Sequence, residues 1–381
     1  MDWRVPLADV NLGPEELEAV SAVIRSGWLT MGSVTRAFEE EYARSTGSAQ
    51  ALAITNATAA LHLACLALGL GPGDEVILPS LTFVASANAI GYTGALPVFA
   101  DIESLDWLCL SPKAIEAALS PRTKAVMVMH YAGFACDMPA IMEIARACKL
   151  SVIEDAAHAV GASLAGKALG AWGDAGCFSF FGNKNLTTAE GGMLVTDNPE
   201  IAEKARVLRS HGMTTLTWDR YKGHASTYDV VAQGYNYRMD ELRSALGREQ
   251  LKRIPSGNAR RAELSALYRE LLGREVPALS LPFQEQRGRS SYHILPALLP
   301  PGTDKRAFME RLKQQGIQTS WHYPPVHRFS IYQAAYASRP NPLPITEAVA
   351  AREVTLPLYP TMSDEQVGWV VQAVKEALAG L

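Results

Sequence analysis

The chain of 381 residues is 48% hydrophobic and 19% charged, which is typical of a soluble globular protein long enough for two domains. Its formal net charge of −4 gives no basic surface, so the composition does not favour nucleic acid as a partner. The first residues lack the basic and apolar segments of a signal peptide, and polar residues interrupt the most apolar stretch, so no membrane span is predicted.

Short apolar strands alternate with helical patterns through the first two-thirds of the chain. A helix is predicted from Pro14, with acidic residues in its first turn and Gly27 at its end. The alternation predicts a largely parallel sheet covered on both faces by helices. Because CFSFF and GGMLVTD are separated only by a loop, some antiparallel or irregular pairing is expected there. The other predicted strands are QALAIT, EVILP, ALPVFADI, KAVMVMHY and LSVIEDAA, and the helices between them include ATAALHLACLALG and PAIMEIARACK.

The pattern changes after DELRSALGREQLKRI, where a long helix leads into LSLPF, SYHILPALLP and the Pro-rich HYPPVHRFS. A final helix is predicted in SDEQVGWVVQAVKEALAGL. This texture is typical of a smaller α+β domain. We therefore predict a large domain at 1–245, including an N-terminal arm, and a small domain at 246–381.

Five cysteines are scattered along the chain, with no C-x-x-C pair and no histidine at metal-ligand spacing. This pattern indicates reduced thiols and argues against a disulfide framework or a zinc site. We therefore predict a cytoplasmic protein with no bound metal.

Several polar residues follow the predicted strands, where parallel sheets place functional groups. Ala57 and Thr58 open a helix after ALAIT, a position that suits a phosphate, although Asn56 or Thr58 could equally be a plain helix cap. Asp155 ends the strand LSVIED, where a buried carboxylate needs a cation or hydrogen bonds, or else caps the next turn.

The stretch CFSFFGNKNLTTAEGG carries the other candidates. Ser179 interrupts its apolar run, and Lys184 follows directly after it. Taken alone, Ser179 could bond only the backbone, Lys184 could be a solvated loop lysine, and Asn236 in GYNYRMDE a plain loop residue. Together, a phosphate cradle, a strand-end carboxylate, a hydroxyl and a lysine on separate loops form what pyridoxal 5'-phosphate requires.

The sequence also resembles a known family over nearly the whole chain, with its motifs in order. It is similar to the DegT/StrS nucleotide-sugar aminotransferases, which are fold-type I enzymes that use pyridoxal 5'-phosphate. The resemblance implies a mostly parallel mixed sheet sandwiched by helices, plus a smaller C-terminal α+β domain. The matching motifs are SGWLTMG, VTRAFEEEYA, GPGDEVILPSLTFVASANAI, GALPVFADI, IEDAAHAVGA, FSFFGNKNLTTAEGGM, LRSHGM, GYNYRMDELRSALG, YPPVH and LPLYPTMSDEQV.

Carried onto this chain, the resemblance makes Lys184 the catalytic lysine, which forms the Schiff base and carries the protons. Asp155 is expected to pair with the pyridine nitrogen of the cofactor. His158 stands where many relatives have glutamine and is expected near the ring and its phenolic oxygen. Phe83 is expected to stack on the ring, although it could by itself be an ordinary core aromatic.

The same resemblance assigns the phosphate to Ser179, Thr58 and the backbone of Ala57. The family usually has Gly-Thr where this chain has Ala57-Thr58, and glycine permits a closer backbone approach. Asn236 is expected to reach the phosphate in the neighbouring subunit, so the resemblance implies a homodimer with shared active sites.

The family reaction moves an amine from an amino acid, usually L-glutamate, to a keto group of a nucleotide-linked deoxysugar. Members that dehydrate the sugar carry histidine in place of the lysine, so Lys184 favours amino transfer. The TTAEGG and SHG motifs resemble members that aminate C4. His322, Tyr323 and His327 are candidates for substrate contacts, with loop packing between prolines as the alternative.

Other functions stay open at this point. The motifs do not separate a nucleotide sugar from a cyclitol or a free keto sugar as the acceptor. A regulator that binds the cofactor without turnover is a further alternative, although no basic or DNA-binding segment supports it. A dinucleotide oxidoreductase is excluded, because the glycines of Gly69–Gly73 follow a predicted helix and the dinucleotide fingerprint must follow a strand.

Overall fold

The computed structural model describes residues 3–215 and 227–380. Strands and helices alternate over residues 50–155, several strands then follow one another up to residue 196, and the later part is mainly helical. The elements are α1 (Pro14–Ser26), α2 (Ser33–Thr46), β1 (Gln50–Ile54), α3 (Ala57–Ala67), β2 (Glu75–Pro79), α4 (Val84–Tyr92), β3 (Leu96–Ala100), α5 (Pro112–Ala118), β4 (Thr123–Met129), α6 (Met138–Cys148), β5 (Ser151–Asp155), β6 (Ser163–Leu164), β7 (Lys167–Ala168), β8 (Ala175–Ser179), β9 (Gly192–Thr196), α7 (Pro199–Leu208), α8 (Glu241–Glu275), β10 (Leu295–Leu298), α9 (Lys305–Gln314), α10 (Ser330–Ser338), α11 (Pro344–Arg352), β11 (Glu353–Leu356) and α12 (Asp364–Ala379).

The main sheet places the ends of its parallel strands along one edge. Within the described residues it has seven strands in the order β1-β9-β8-β5-β4-β2-β3. The strands β3, β2, β4, β5 and β8 are parallel to one another, whereas β9 runs antiparallel to both β1 and β8. The predicted mostly parallel mixed sheet is therefore confirmed, and the antiparallel pairing expected at CFSFF and GGMLVTD is that of β8 with β9.

Both faces of this sheet are buried, which explains why its strands are apolar with little alternation. In β2, Val76 and Leu78 pack into an apolar cluster with α3 and α4. Ile77, which points to the opposite face, packs into a second cluster with α5 and α6. The helices therefore sandwich the sheet, as the alternating pattern predicts.

The helix ends follow the signals in the sequence. Helix α1 starts at Pro14 and ends at Gly27, whose φ of 72° lies in the left-handed region that glycine adopts without strain. In α8, the side chain of Asp240 accepts a hydrogen bond from the backbone N–H of Arg243 and caps the helix.

The C-terminal part has its own apolar cluster, built from α8, α9, α12 and the antiparallel pair β10 and β11. The predicted division at residue 245 falls inside α8. Val326 and Tyr332 pack into the cluster around α3 and α4, so the later part of the chain also contributes to the core of the main sheet.

A buried carboxylate holds the loop that joins β5 to β8. Glu154 accepts hydrogen bonds from the backbone N–H groups of Gly170, Trp172 and Gly173. It also lies 2.9 Å from Nε2 of His130, which donates to it, since Nδ1 of that ring faces the Cys136 N–H. Glu154 is therefore satisfied structurally and leaves the neighbouring Asp155 to face the edge of the sheet.

No helix in residues 3–215 and 227–380 combines the length and the apolar character needed to cross a membrane.

Candidate active site

A cavity of about 720 Å³ opens at the carboxyl edge of the main sheet. Its lining comes from the loops after β1, β2, β5 and β8, together with residues of the C-terminal part. This is where an open α/β sheet places a ligand. The residues proposed from the sequence that line it are Ala57, Thr58, Phe83, Asp155, His158, Ser179, Lys184, His322 and Tyr323.

The first turn of α3 forms one wall of the cavity. Asn56 is its N-cap, since its side chain accepts a hydrogen bond of 2.8 Å from the Ala59 N–H. Ala57 and Thr58 follow at the positive end of the helix, where backbone N–H groups have no partner within the helix. Asn56 therefore fulfils the capping alternative, while Ala57 and Thr58 remain available to an anion.

The wall is built by a close approach between two strands and the helix. Gly192 of β9 pairs with Ile54 of β1 and with Ser179 of β8. A Cβ on Gly192 would lie 2.7 Å from the backbone nitrogen of Ala57, so a side chain does not fit there. Ala57 itself is the first helical residue, a conformation that alanine adopts without strain.

Asp155 lies on the floor of the cavity at the end of β5 and is 4% exposed. Its carboxylate accepts hydrogen bonds from the hydroxyl of Ser86 (2.7 Å) and from the Ala157 N–H (3.1 Å). Burial raises the pKa of Asp155, while these hydrogen bonds and the charge of Lys184 oppose the rise. The residue is thus a buried carboxylate that a cationic ligand group would stabilise.

Lys184 enters the cavity from the turn after β8, in which its backbone N–H bonds the carbonyl of Phe181. Burial lowers its pKa to about 8, and the nearby charge of Asp155 only partly opposes this. A lysine with a lowered pKa has a substantial neutral fraction near neutral pH and can act as a nucleophile and a base.

A histidine and a tyrosine form a hydrogen-bonded pair beside Lys184. Nδ1 of His158 accepts from the Ala132 N–H at 3.3 Å, so the neutral ring carries its proton on Nε2, which lies 2.9 Å from the Tyr323 hydroxyl. Burial, with Lys184 and His322 nearby, holds the pKa of His158 well below its ordinary value. Phe83 lies at the rim, 54% exposed, with its ring 5.7 Å from that of Tyr323.

Two of the residues proposed from the sequence lie elsewhere. Nδ1 of His327 is 2.7 Å from the hydroxyl of Ser80, and its Nε2 is 2.7 Å from a carboxylate oxygen of Glu347. The lining drawn from the described residues of one chain includes neither His327 nor Asn236, and Asn236 is exposed. The structure therefore brings His322 and Tyr323 to the cavity, but not His327.

Sequence reasoning missed two residues at this site. His293 lies 3.3 Å from the amine of Lys184, and Ser86 donates to Asp155. His293 interrupts the apolar run SYHILPAL just before β10, and an isolated polar residue in a buried segment is a usable signal. Ser86 lies in the apolar helix α4, where a hydroxyl gives little indication of its partner.

Comparison with known proteins identifies the family of this chain. Residues 10–375 match the model of the DegT/DnrJ/EryC1/StrS aminotransferase family. The chain belongs to this family. The resemblance seen in the sequence is thereby confirmed, and the protein is an enzyme of the transaminase kind.

Three relatives are similar to this chain over nearly their full lengths. The spore coat polysaccharide biosynthesis protein SpsC of Bacillus subtilis is 42% identical, over 100% of this chain and 97% of that protein. Helicobacter pylori PseC, an aminotransferase involved in the biosynthesis of pseudoaminic acid, has a TM-score of 0.92 at 30% identity, covering 100% of both chains. The structure of DesI in the presence of its TDP-sugar product has a TM-score of 0.88 at 32% identity, covering 100% of this chain and 94% of that one. The fold of a sugar aminotransferase is thus confirmed.

Proposed function

We propose that this aminotransferase uses pyridoxal 5'-phosphate to move an amine from L-glutamate to the C4 keto group of a nucleotide-linked deoxysugar. The observation that supports it best is the convergence of Lys184, Asp155 and the first turn of α3 on one cavity. These groups come from three separate loops, so their meeting is a property of the fold.

The residues fit this cofactor in charge as well as in position. The positive end of α3 suits a phosphate, and the close contact of Gly192 with Ala57 leaves a cradle of backbone there. The buried carboxylate of Asp155 suits the protonated nitrogen of a pyridine ring, because this cation would compensate the negative charge that burial destabilises. When bound, the cofactor supplies an aldehyde for the amine and a ring that withdraws electrons.

Lys184 is proposed as the catalytic residue. Its amine, with a pKa of about 8, would hold the cofactor through the aldehyde, and once displaced by the substrate amine it would take and return the proton at the reacting carbon of the substrate. The lysine therefore has the position and the basicity that both halves of the exchange need.

The other lining residues are proposed to orient the cofactor. Thr58 and Ser179 hold its phosphate with their hydroxyls, and Phe83 covers one face of its ring. His158 is proposed to lie beside the phenolic oxygen of the ring, and its Nε2–H, directed at the Tyr323 hydroxyl, fixes the imidazole in place.

A homodimer is proposed to complete the site. Asn236 is exposed in one chain and separate from its own cavity, as expected for a residue that serves a neighbouring subunit. In that arrangement Asn236 of each subunit reaches the phosphate held by the other. Each active site then depends on two chains.

The relatives support a sugar as the amine acceptor. DesI was solved with a TDP-sugar product, and SpsC is named for polysaccharide biosynthesis. The cavity offers His322 and Tyr323 as polar groups for such a substrate, beside the proposed ring site. The choice of C4 rests on the similarity of TTAEGG and SHG to motifs of C4-aminating members, and the choice of L-glutamate rests on the usual amine donor of the family.

The first test is to identify the lysine that holds the cofactor. Borohydride reduction of the protein loaded with pyridoxal 5'-phosphate should attach the cofactor to Lys184, as seen by peptide mass spectrometry. Lys184→Ala should reduce amino transfer by roughly 10³-fold or more, because nucleophile and base are both lost. Lys305→Ala is the matched control, since Lys305 is another lysine whose pKa burial lowers to about 8. A label on a lysine other than Lys184 would refute the proposal.

The acceptor can be identified by half-reactions. The protein is first aminated with L-glutamate, and candidate keto compounds are then added while the absorbance of the cofactor is followed. A 4-keto nucleotide sugar should restore the original spectrum faster than a 3-keto isomer, a cyclitol ketone or the free sugar. Equal rates with the free sugar would show that the nucleotide is not recognised.

A further inference from the structure

A chain of hydrogen bonds through two side-chain amides and one imidazole ends at the amine of the proposed catalytic lysine. Nε2 of His293 lies 3.3 Å from Nζ of Lys184, and Nδ1 of the same ring lies 2.9 Å from Oδ1 of Asn185. Asn185 is bonded in turn to Asn258 at 2.8 Å. The elements involved are the loop after β8, helix α8 and the segment before β10, so the chain joins three distant parts of the sequence.

Backbone carbonyls fix the direction of every bond in this chain. Nδ2 of Asn258 donates to the carbonyl of Val160 at 2.9 Å, which leaves Oδ1 of Asn258 as the acceptor for Asn185. Nδ2 of Asn185 donates to Oδ1 of Asn258 and to the carbonyl of Ser291, at 2.8 Å each. A carbonyl can only accept, so neither amide can be reversed.

The tautomer of His293 follows from this direction. Oδ1 of Asn185 faces the ring, and an amide oxygen only accepts, so Nδ1 of His293 must carry a proton. In the neutral imidazole Nε2 then has a free lone pair. That lone pair points at the amine of Lys184.

The surroundings keep the imidazole neutral. His293 is 5% exposed, and its ring centre lies 4.3 Å from that of His158. Burial, with positive charge from Lys184 and Arg261 and with His158 and His322 nearby, holds the pKa of His293 well below its ordinary value. Asp155 is the acidic group that faces Lys184. A second cation beside Lys184 is thereby avoided.

We infer that His293 is a positioning residue for Lys184: its Nε2 accepts a hydrogen bond from Nζ, and Asn185 and Asn258 impose the tautomer that allows this. In the opposite tautomer, the Nε2–H of His293 would face the N–H groups of Lys184, and the lysine would lose this acceptor. The hydrogen bond stabilises the ammonium form and fixes where the nitrogen lies. Its importance for catalysis rests on the proposed function, whereas the bond itself does not.

The test measures the acid–base midpoint of Lys184 in the full-length chain after removal of any cofactor. Trace acetic anhydride is added between about pH 6 and pH 10, and acetylation of each lysine is read by peptide mass spectrometry. Lys305 is the control within the same sample, since burial also lowers its pKa to about 8 and it lies over the ring of Trp321.

His293→Leu removes the acceptor, so the midpoint of Lys184 should fall by about one pH unit while that of Lys305 stays in place. His293→Gln, which keeps an oxygen within reach of the amine, should restore most of the difference. Asn185→Ala frees the imidazole to turn and should also lower the Lys184 midpoint. If His293→Leu does not fold, the comparison of His293→Gln with Asn185→Ala decides.

An unchanged Lys184 midpoint in His293→Leu, or an equal shift at Lys305, would overturn the inference. Because acetylation needs no cofactor, this result is independent of the proposed function. Should borohydride attach the cofactor to another lysine, the proposed function fails, and the hydrogen bond to His293 is still judged by its own measurement.

Discussion

At the scale of single residues, the protonation of Glu353, a buried carboxyl at the start of β11, affects the stability of the fold. Its oxygens accept hydrogen bonds from the hydroxyl of Thr355 (2.6 Å) and from the His322 N–H (2.9 Å). Burial raises its pKa to about 8, although these bonds and the charge of Lys305 oppose the rise. Thr355 also lies 2.7 Å from Nδ1 of His322, so Glu353 supports a residue of the cavity wall.

The sign of the resulting pH dependence follows from linkage. The folded protein holds the Glu353 proton more tightly than the unfolded chain, where the pKa has its ordinary value of 4.5. The carboxyl therefore contributes stability that is fully present below about pH 4.5 and is lost as the pH rises towards 8. Glu353→Gln should reduce the loss of unfolding free energy between about pH 5 and pH 8 by about 1 kcal/mol or more, as measured by urea unfolding.

Glu365→Gln, which changes an exposed carboxyl of α12, is the control for this measurement. Both variants remove one acidic group, so only the buried position differs. A Glu353→Gln protein with the same pH slope as the parent would show that this carboxyl is ionised in the folded state throughout.

At the scale of elements, the proposed phosphate site at the first turn of α3 depends on how closely β9 approaches that helix. A Cβ at position 192 would lie 2.6 Å from the backbone carbon of Asn56. Gly192→Ala should therefore push the first turn of α3 away and weaken the binding of pyridoxal 5'-phosphate by roughly tenfold, since overpacking costs about 1–3 kcal/mol. Absorbance titration of the cofactor-free protein measures this. Gly368→Ala in α12, where nothing lies within 4 Å, is the matched control, and equal affinities would contradict the expectation.

The elements of the main sheet were predictable because their signals are local. Apolar runs gave its parallel strands, and Pro14 and Gly27 marked both ends of α1. The short hairpin of β6 and β7 escaped prediction, since strands of two residues carry no periodicity. Helix α11 was also missed, although Pro344 at its first turn is a start signal.

The candidate site was predictable only in part, for a related reason. Asp155 ends a recognisable strand, Ala57 and Lys184 each follow one closely, and strand ends meet at one edge of the sheet. His293 reaches Lys184 through the packing of the C-terminal part, which no local pattern encodes. His327 has a partner on each ring nitrogen, and these partners are likewise tertiary.

At the scale of the whole molecule, the proposed homodimer makes a quantitative prediction. Lys184→Ala and Asn236→Ala each remove one contribution to the site, and the two contributions are proposed to come from different chains. Mixing the two variants under subunit exchange should raise the activity to about a quarter of that of the parent, because half of the random dimers carry one intact site. Each variant mixed with itself is the control. Activity no higher than the controls would show that Asn236 acts within its own chain or not at all.

The position of β9 also bears on how the molecule comes to its native state. In chain order β9 is the last strand of the main sheet, yet it lies between β1, the first, and β8. During synthesis β1 must therefore wait, with an unpaired edge, until the last strand has been made. Only then do the loops after β1 and β8 reach their final spacing. If the proposed function is correct, binding of the cofactor reports that the sheet has closed, and a nascent chain that ends before β9 would carry Lys184 without a completed site for the phosphate.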